Sequence, residues 1–90
     1  VEIGSSLTYG IDVVELNGMR VAVYPYPTQT TLNFSGLNAP VQASVFDMLG
    51  KLHIQTEVTN TLDVSALKSG LYMVEIKNET SSKAFKMLKQ

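Results

Sequence analysis

The sequence predicts an all-β protein, an Ig-like antiparallel β-sandwich of about seven strands. Three observations carry that expectation. Apolar residues recur at every second position along short runs. Turn residues interrupt those runs roughly every ten positions, a spacing that suits a sandwich or barrel better than βαβ units. No apolar pattern at i, i+3, i+4, i+7 persists for the length of a helix. With a period of two, a slip of one residue would turn a strand's whole apolar set outward, so each run fixes its own register.

Residues 1–18 read as a linker with one weak strand at Ile11–Leu16, and residues 19–90 as the sandwich. Gly4-Ser5-Ser6 and Gly10 punctuate the first part, and Asn17-Gly18 is a turn signal. Arg20–Tyr24 is rich in β-branched and aromatic residues, and Pro25-Tyr26-Pro27-Thr28 is expected to end that strand, since neither proline can donate a ladder hydrogen bond. In Thr31–Ser35, Leu32 and Phe34 share a face, and Gly36 closes the run. Val41–Asp47 sets Val41, Ala43 and Val45 against Gln42 and Ser44. Met48-Leu49-Gly50-Lys51 then reads as a hairpin turn in which Gly50 supplies a positive φ. Leu52–Glu57 answers, with Leu52 and Ile54 expected inward and His53, Gln55 and Glu57 outward. Thr61–Val64 is a short strand, and in the loop Ser65–Gly70 the apolar Leu67 should plug the end of the core. Leu71–Lys77 alternates Tyr72, Val74 and Ile76 against Met73, Glu75 and Lys77. After a polar loop at Asn78–Ser82, Lys83–Leu88 places Phe85 and Met87 opposite Lys86.

Ninety residues make one domain, which buries only about 60–65% of its unfolded surface and leaves little room for a deep cleft. No cysteine is present, so disulfides, thiolate metal sites and a cysteine nucleophile are excluded. The net charge of −1 gives no overall pull toward nucleic acid. The charge is unevenly placed. Residues 1–67 carry Arg20 and Lys51 against six acids, whereas residues 68–90 carry Lys68, Lys77, Lys83, Lys86 and Lys89 against Glu75 and Glu79. That basic tail reads either as a solvated outer face or as a docking feature. No apolar run approaches the ~20 residues of a membrane span. The sequence opens on Val1 rather than Met and contains no signal peptide, so it reads as a fragment or processed product with a targeting signal expected upstream.

Candidate chemistry is sparse, and no catalytic, cofactor-binding or metal site is expected. His53 has no second ligand at a metal spacing and reads as an exposed strand histidine. Asp47 and Asp63 could pair for acid–base work, but both occupy turn positions where aspartate caps backbone amides. Ser65 lacks a G-x-S-x-G setting. Asn33 and Asn78 open glycosylation sequons that read as chance matches. Tyr9, Tyr24, Tyr26 and Phe34 could form a stacking platform, although Tyr24 and Phe34 read better as core.

Three blocks of residues, taken in order, resemble the type A C-terminal sorting domain of the type IX (Por) secretion system of Bacteroidetes. Val23-Tyr24-Pro25-Tyr26-Pro27-Thr28 resembles its YPNP opening. Val45-Phe46-Asp47-Met48-Leu49-Gly50-Lys51 resembles its v-y-D-x-x-G-k hairpin, and Leu62-Asp63-Val64-Ser65-Ala66-Leu67-Lys68-Ser69-Gly70-Leu71-Tyr72-Met73-Val74 its i-D-l-s-x-L-x-x-G-i-Y-x-v block. A lysine-bearing final strand is similar too, and the likeness covers about Ile11 to Gln90. Two departures stand out: Tyr26 replaces the usual asparagine, and Gln29-Thr30-Thr31 lacks the glycine that commonly follows. On this resemblance Pro25, Pro27, Asp47, Gly50, Lys51, Asp63, Leu67, Gly70, Tyr72, Lys83, Lys86 and Lys89 are the motif or recognition residues.

The resemblance implies a non-enzymatic secretion signal, covalently part of a larger cargo protein, with no cofactor. The domain would fold in the periplasm and be recognised by outer-membrane machinery that includes a sortase-like cysteine protease. Its cargo would end at the cell surface or in the medium. A cut before the domain would fall within about Val1–Gly18, and the contact with the machinery is expected on the last hairpin, Leu71–Leu88, and the lysine tail. Two other functions fit the same fold. One is an Ig-like or fibronectin-like binding or adhesion module, for instance for carbohydrate, using Tyr26 and Tyr9. The other is a structural spacer that forms a homodimer through its edge strands.

Overall fold

The computed structural model describes residues 10–16, 18–26 and 28–90, which form eight strands in two antiparallel sheets. The strands are β1 (Gly10–Leu16), β2 (Met19–Tyr26), β3 (Thr31–Ser35), β4 (Val41–Asp47), β5 (Leu52–Val58), β6 (Thr61–Asp63), β7 (Gly70–Lys77) and β8 (Ser82–Lys89). One sheet runs β1-β2-β3-β6 and the other β5-β4-β7-β8. The chain changes sheet after β3, after β5 and after β6, which wraps the two layers around one core as in Ig-like sandwiches. The expected fold class is therefore the one found, with eight strands in place of about seven.

The additional strand is β1, which pairs with β2 from Gly10 opposite Tyr26 to Leu16 opposite Met19, with Leu16 fully buried. The other half of the expected linker, residues 1–9, lies outside the described residues.

The core follows the alternation in the sequence. Val41, Ala43 and Val45 of β4 and Tyr72, Val74 and Ile76 of β7 are buried against Leu32 and Phe34 of β3. Phe34 and Phe85 meet between the sheets edge to face, with ring centroids 6.3 Å apart and planes at 65°. Leu67 closes one end of this core. Gly36 holds φ at +107° as the chain leaves β3, where any Cβ would collide with the carbonyl oxygen of Arg20.

Three expectations are corrected. β2 does not stop before Pro25 but runs to Tyr26. Its pairing with β3 ends at Tyr24 opposite Asn33, and its register against β1 shifts between Gly10 and Asp12, so Pro25 falls where no ladder donor is needed. Tyr24 is not core but 38% exposed, because Val21 and Val23 take the inward face of β2 and alternation turns Tyr24 outward. The third correction concerns β5. A bulge lies between Val45 and Phe46, so Val45 opposes Ile54 while Phe46 opposes Leu52. The extra residue, His53, breaks the alternation. Leu52 is thereby turned to the outer face, 44% exposed, while Ile54 still packs against the core.

Candidate functional site

The three motif blocks converge on one end of the sandwich. Asp47, the last residue of β4, is opposite Tyr72 in β7. Gly70, the first residue of β7, is opposite Lys89, the last of β8. Lys89 in turn forms a parallel bridge with Thr28, which directly follows the proline motif. Asp63 is opposite Thr31, and the N–H of Val64 donates to the carbonyl of Thr30 at 2.8 Å.

Asp47, Gly50, Asp63 and Tyr72 each have a local task here. One carboxylate, Asp47, organises the β4–β5 hairpin. Its Oδ1 accepts the N–H groups of Leu49 (2.9 Å) and Lys51 (3.0 Å), and its Oδ2 accepts the Nε2–H of His53 at 2.9 Å. The bond from His53, then those from the Lys51 and Leu49 amides, hold its pKa below the ordinary 3.8. Gly50 takes φ = +90°, as its turn requires, and donates its N–H to the carbonyl of Asp47 at 3.0 Å. The bulge aims the His53 ring at Tyr72 as well, edge to face with centroids 5.7 Å apart. His53 is the exposed strand histidine expected, and it also joins the hairpin to β7.

The Asp63 block is braced in the same way. Asp63 Oδ1 accepts from the Ser65 hydroxyl at 2.7 Å and the Ser65 N–H at 2.9 Å. Those two bonds, the hydroxyl first, lower the Asp63 pKa below 3.8. The Tyr72 hydroxyl donates to the carbonyl of Lys68 at 2.8 Å, tying the loop that Leu67 anchors back onto β7. Asp47 and Asp63 each serve their own turn, with bonding partners that leave no shared proton site between them.

Thr28 is the residue that sequence reasoning passed over. It is fully buried, and its Oγ1 donates to the carbonyl of Pro25 at 2.7 Å. Its N–H donates to the carbonyl of Leu88, and its own carbonyl accepts the N–H of Gln90, both at 2.8 Å. A polar residue just after two prolines reads as turn, and only the fold reveals that it meets the last strand. Lys89 differs correspondingly from the expected open tail: it is 7% exposed, and its Nζ donates to the Gln90 carbonyl at 3.0 Å. Lys68, Lys77, Lys83 and Lys86 are exposed.

Among the described residues no group of three His, Asp or Glu side chains could hold a metal ion. An open depression lies away from the motif residues, lined by Pro40, Gln42, Glu57, Lys77 and Glu79 among others. Asn33 and Asn78 bond to backbone: Asn33 Nδ2 donates to the Tyr24 carbonyl at 3.2 Å, and Asn78 Oδ1 accepts the N–H of Ser81 at 2.8 Å.

A two-sheet sandwich whose turns are built by aspartate and glycine, with its motif blocks gathered at one end, defines the class as a small all-β module. Residues 22–90 match the secretion system C-terminal sorting domain, and the chain belongs to that family, the sorting domain of type IX secretion. No curated protein and no solved structure matches the chain. The family is one of sorting signals rather than enzymes, so the domain is part of a larger cargo protein handled by the secretion system and exported through the outer membrane.

Proposed function

We propose that this domain acts as a folded address. Outer-membrane machinery reads one face of it in the periplasm, moves the attached cargo to the cell surface or medium, and a sortase-like cysteine protease then removes the domain so that the cargo can be anchored. It contributes no catalysis of its own. The observation that carries this reading is the family membership of residues 22–90, which span the last hairpin. The contact falls on β7 and β8, where the exposed Lys83 and Lys86 supply positive charge. The cut falls within Val1–Gly18, upstream of β1, because cutting inside β1 would strip an edge strand and uncover Leu16.

Deleting Lys83–Gln90 would be a poor test, since it removes Phe85 and Met87 from the core. A fusion is cleaner. Residues 1–90 are attached to the C-terminus of a fluorescent protein bearing a Sec signal and expressed in a type IX-competent host. Delivery to the surface or medium that depends on the secretion machinery is expected, with the product size reporting the cut. Retention in the periplasm with the domain folded would overturn the reading in favour of an Ig-like binding module.

A further inference from the structure

Among the described residues, four of the six large apolar side chains most exposed to water, Met48, Leu49, Leu52 and Leu71, gather at the motif end of the second sheet. They are continuous with an outward row. Leu52 is opposite Phe46, Phe46 opposite Met73, and Leu71, next to Met73 on the same face of β7, is opposite Leu88. Phe46, Met73 and Leu88 are half-buried, so the row is an apolar surface and not a scatter of single residues. It stops one rung on, at the polar Ser44, Gln55 and Glu75.

Leu49 stands at its edge, 96% exposed. Its hairpin is heavily braced, with both Asp47 oxygens engaged and the backbone N–H of Asp47 donating to the Lys51 carbonyl at 2.9 Å. A leucine set in water on a braced backbone gains nothing for the monomer. Held ready for a pocket, it loses little freedom on docking. Around this surface stand Lys51 beside the tip, Lys68 in the adjoining loop and Lys86 opposite Met73, all exposed. Among the described residues, no carboxylate lies within ion-pairing distance of these three ammonium groups.

We infer that the outer face of the second sheet, with Leu49 as its anchor, docks into an apolar socket edged with carboxylates on a partner protein. The inference rests on the sorting reading and adds the β4–β5 hairpin to the contact on β7 and β8. The lysine rim selects the acidic edge and steers the approach, while the leucine and the apolar row supply the buried centre. A protein surface fits better than a membrane, because Leu52 and Leu71 lie within a pleated sheet face and only the tip protrudes.

The test uses the full-chain cargo fusion and compares Leu49→Asp, Leu49→Met, the pair Lys51→Glu with Lys86→Glu, and Thr59→Asp at the far end of β5. Exported fraction is measured in the host, and thermal midpoint on purified protein. Wild type and Thr59→Asp are expected to be exported alike, and Leu49→Met, which keeps an apolar side chain at the tip, to fall far less than Leu49→Asp. Leu49→Asp and the charge-reversed pair should fall on the order of tenfold, as loss of an interface anchor does, with the midpoint unchanged. Wild-type export by Leu49→Asp and by the charge-reversed pair would overturn the inference and leave the sorting reading intact, whereas failure of the unmodified fusion would overturn the sorting reading itself. Flotation with vesicles of phosphatidylglycerol and phosphatidylcholine decides the occupant. Absence of binding supports a protein socket, and vesicle binding that Leu49→Asp abolishes would overturn it in favour of an anionic membrane.

Discussion

Thr28 and Leu88 lie far apart in the sequence and in different parts of the sandwich, yet the N–H of Thr28 donates to the carbonyl of Leu88 at 2.8 Å. With the return bond from Gln90 to Thr28, the segment after the prolines adds one parallel bridge to the open side of β8. The tip of an edge strand is thereby covered, and the first and last motif blocks become one unit.

This latch should be visible in exchange and stability. The amides of Thr28 and Gln90 are expected to exchange slowly despite lying outside the long ladders. Thr28→Val, which keeps the shape but removes the Oγ1 bond to Pro25, should cost about 1 kcal/mol in urea denaturation. Thr28→Pro, which deletes the donor to Leu88, should cost more and release protection at Gln90. Fast exchange at both amides in the unmodified chain would contradict the latch.

Gly36 and Gly50 both hold positive φ but should respond differently to alanine. At Gly50 nothing lies within 4 Å of the added Cβ, so only the backbone preference is lost, about 1 kcal/mol. At Gly36 the Cβ meets the Arg20 carbonyl, and β2 or β3 must shift. Denaturant midpoints of the two variants should rank Gly36→Ala clearly below Gly50→Ala.

Acid should loosen the motif end first. Folding lowers the pKa of Asp47 and of Asp63 below 3.8, so the unfolded chain binds those protons more readily. Their contribution is complete above that value and is lost as pH falls through the lower, folded values. Asp47→Asn should therefore be less stable than wild type near neutrality, with the gap narrowing below about pH 4. A gap that is constant with pH, followed by chemical denaturation, would show that the carboxylate charge does not brace the hairpin.

The core prediction concerns Phe85, which faces Phe34 across the sheets. Phe85→Ala should cost about 3–5 kcal/mol, a large part of what a domain of this size has. Phe85→Leu should cost much less. A fusion carrying Phe85→Ala is expected to lose export together with its thermal transition, unlike Leu49→Asp, which should lose export alone.

Much of this protein is legible in its sequence. Period two in Val41–Val45 and in Tyr72–Ile76 identifies the buried face without any structure, since alternate side chains of a strand must point to opposite sides. Asp47, Gly50, Asp63 and Ser65 announce their turns, because short side chains bond backbone two residues on and glycine alone takes positive φ easily. The motif order likewise pointed to the sorting domain that the family comparison finds over residues 22–90. All of these are local properties, decided within a few residues.

Tertiary structure decided what depends on a partner strand. A bulge is a count of residues in one strand against its neighbour, so neither strand alone could reveal that Leu52 faces water or that His53 reaches Asp47. The face taken by Tyr24 follows from Val21 and Val23 lying on the core side of β2. Thr28 became a buried clamp only because the sheet order brings β8 to the end of the sandwich where the proline segment lies. The sequence by itself determined which stretches are strands and which turns, from local sterics and side-chain alternation. Only packing decided which turns meet and which apolar side chains are left outside, because long-range pairing sets both.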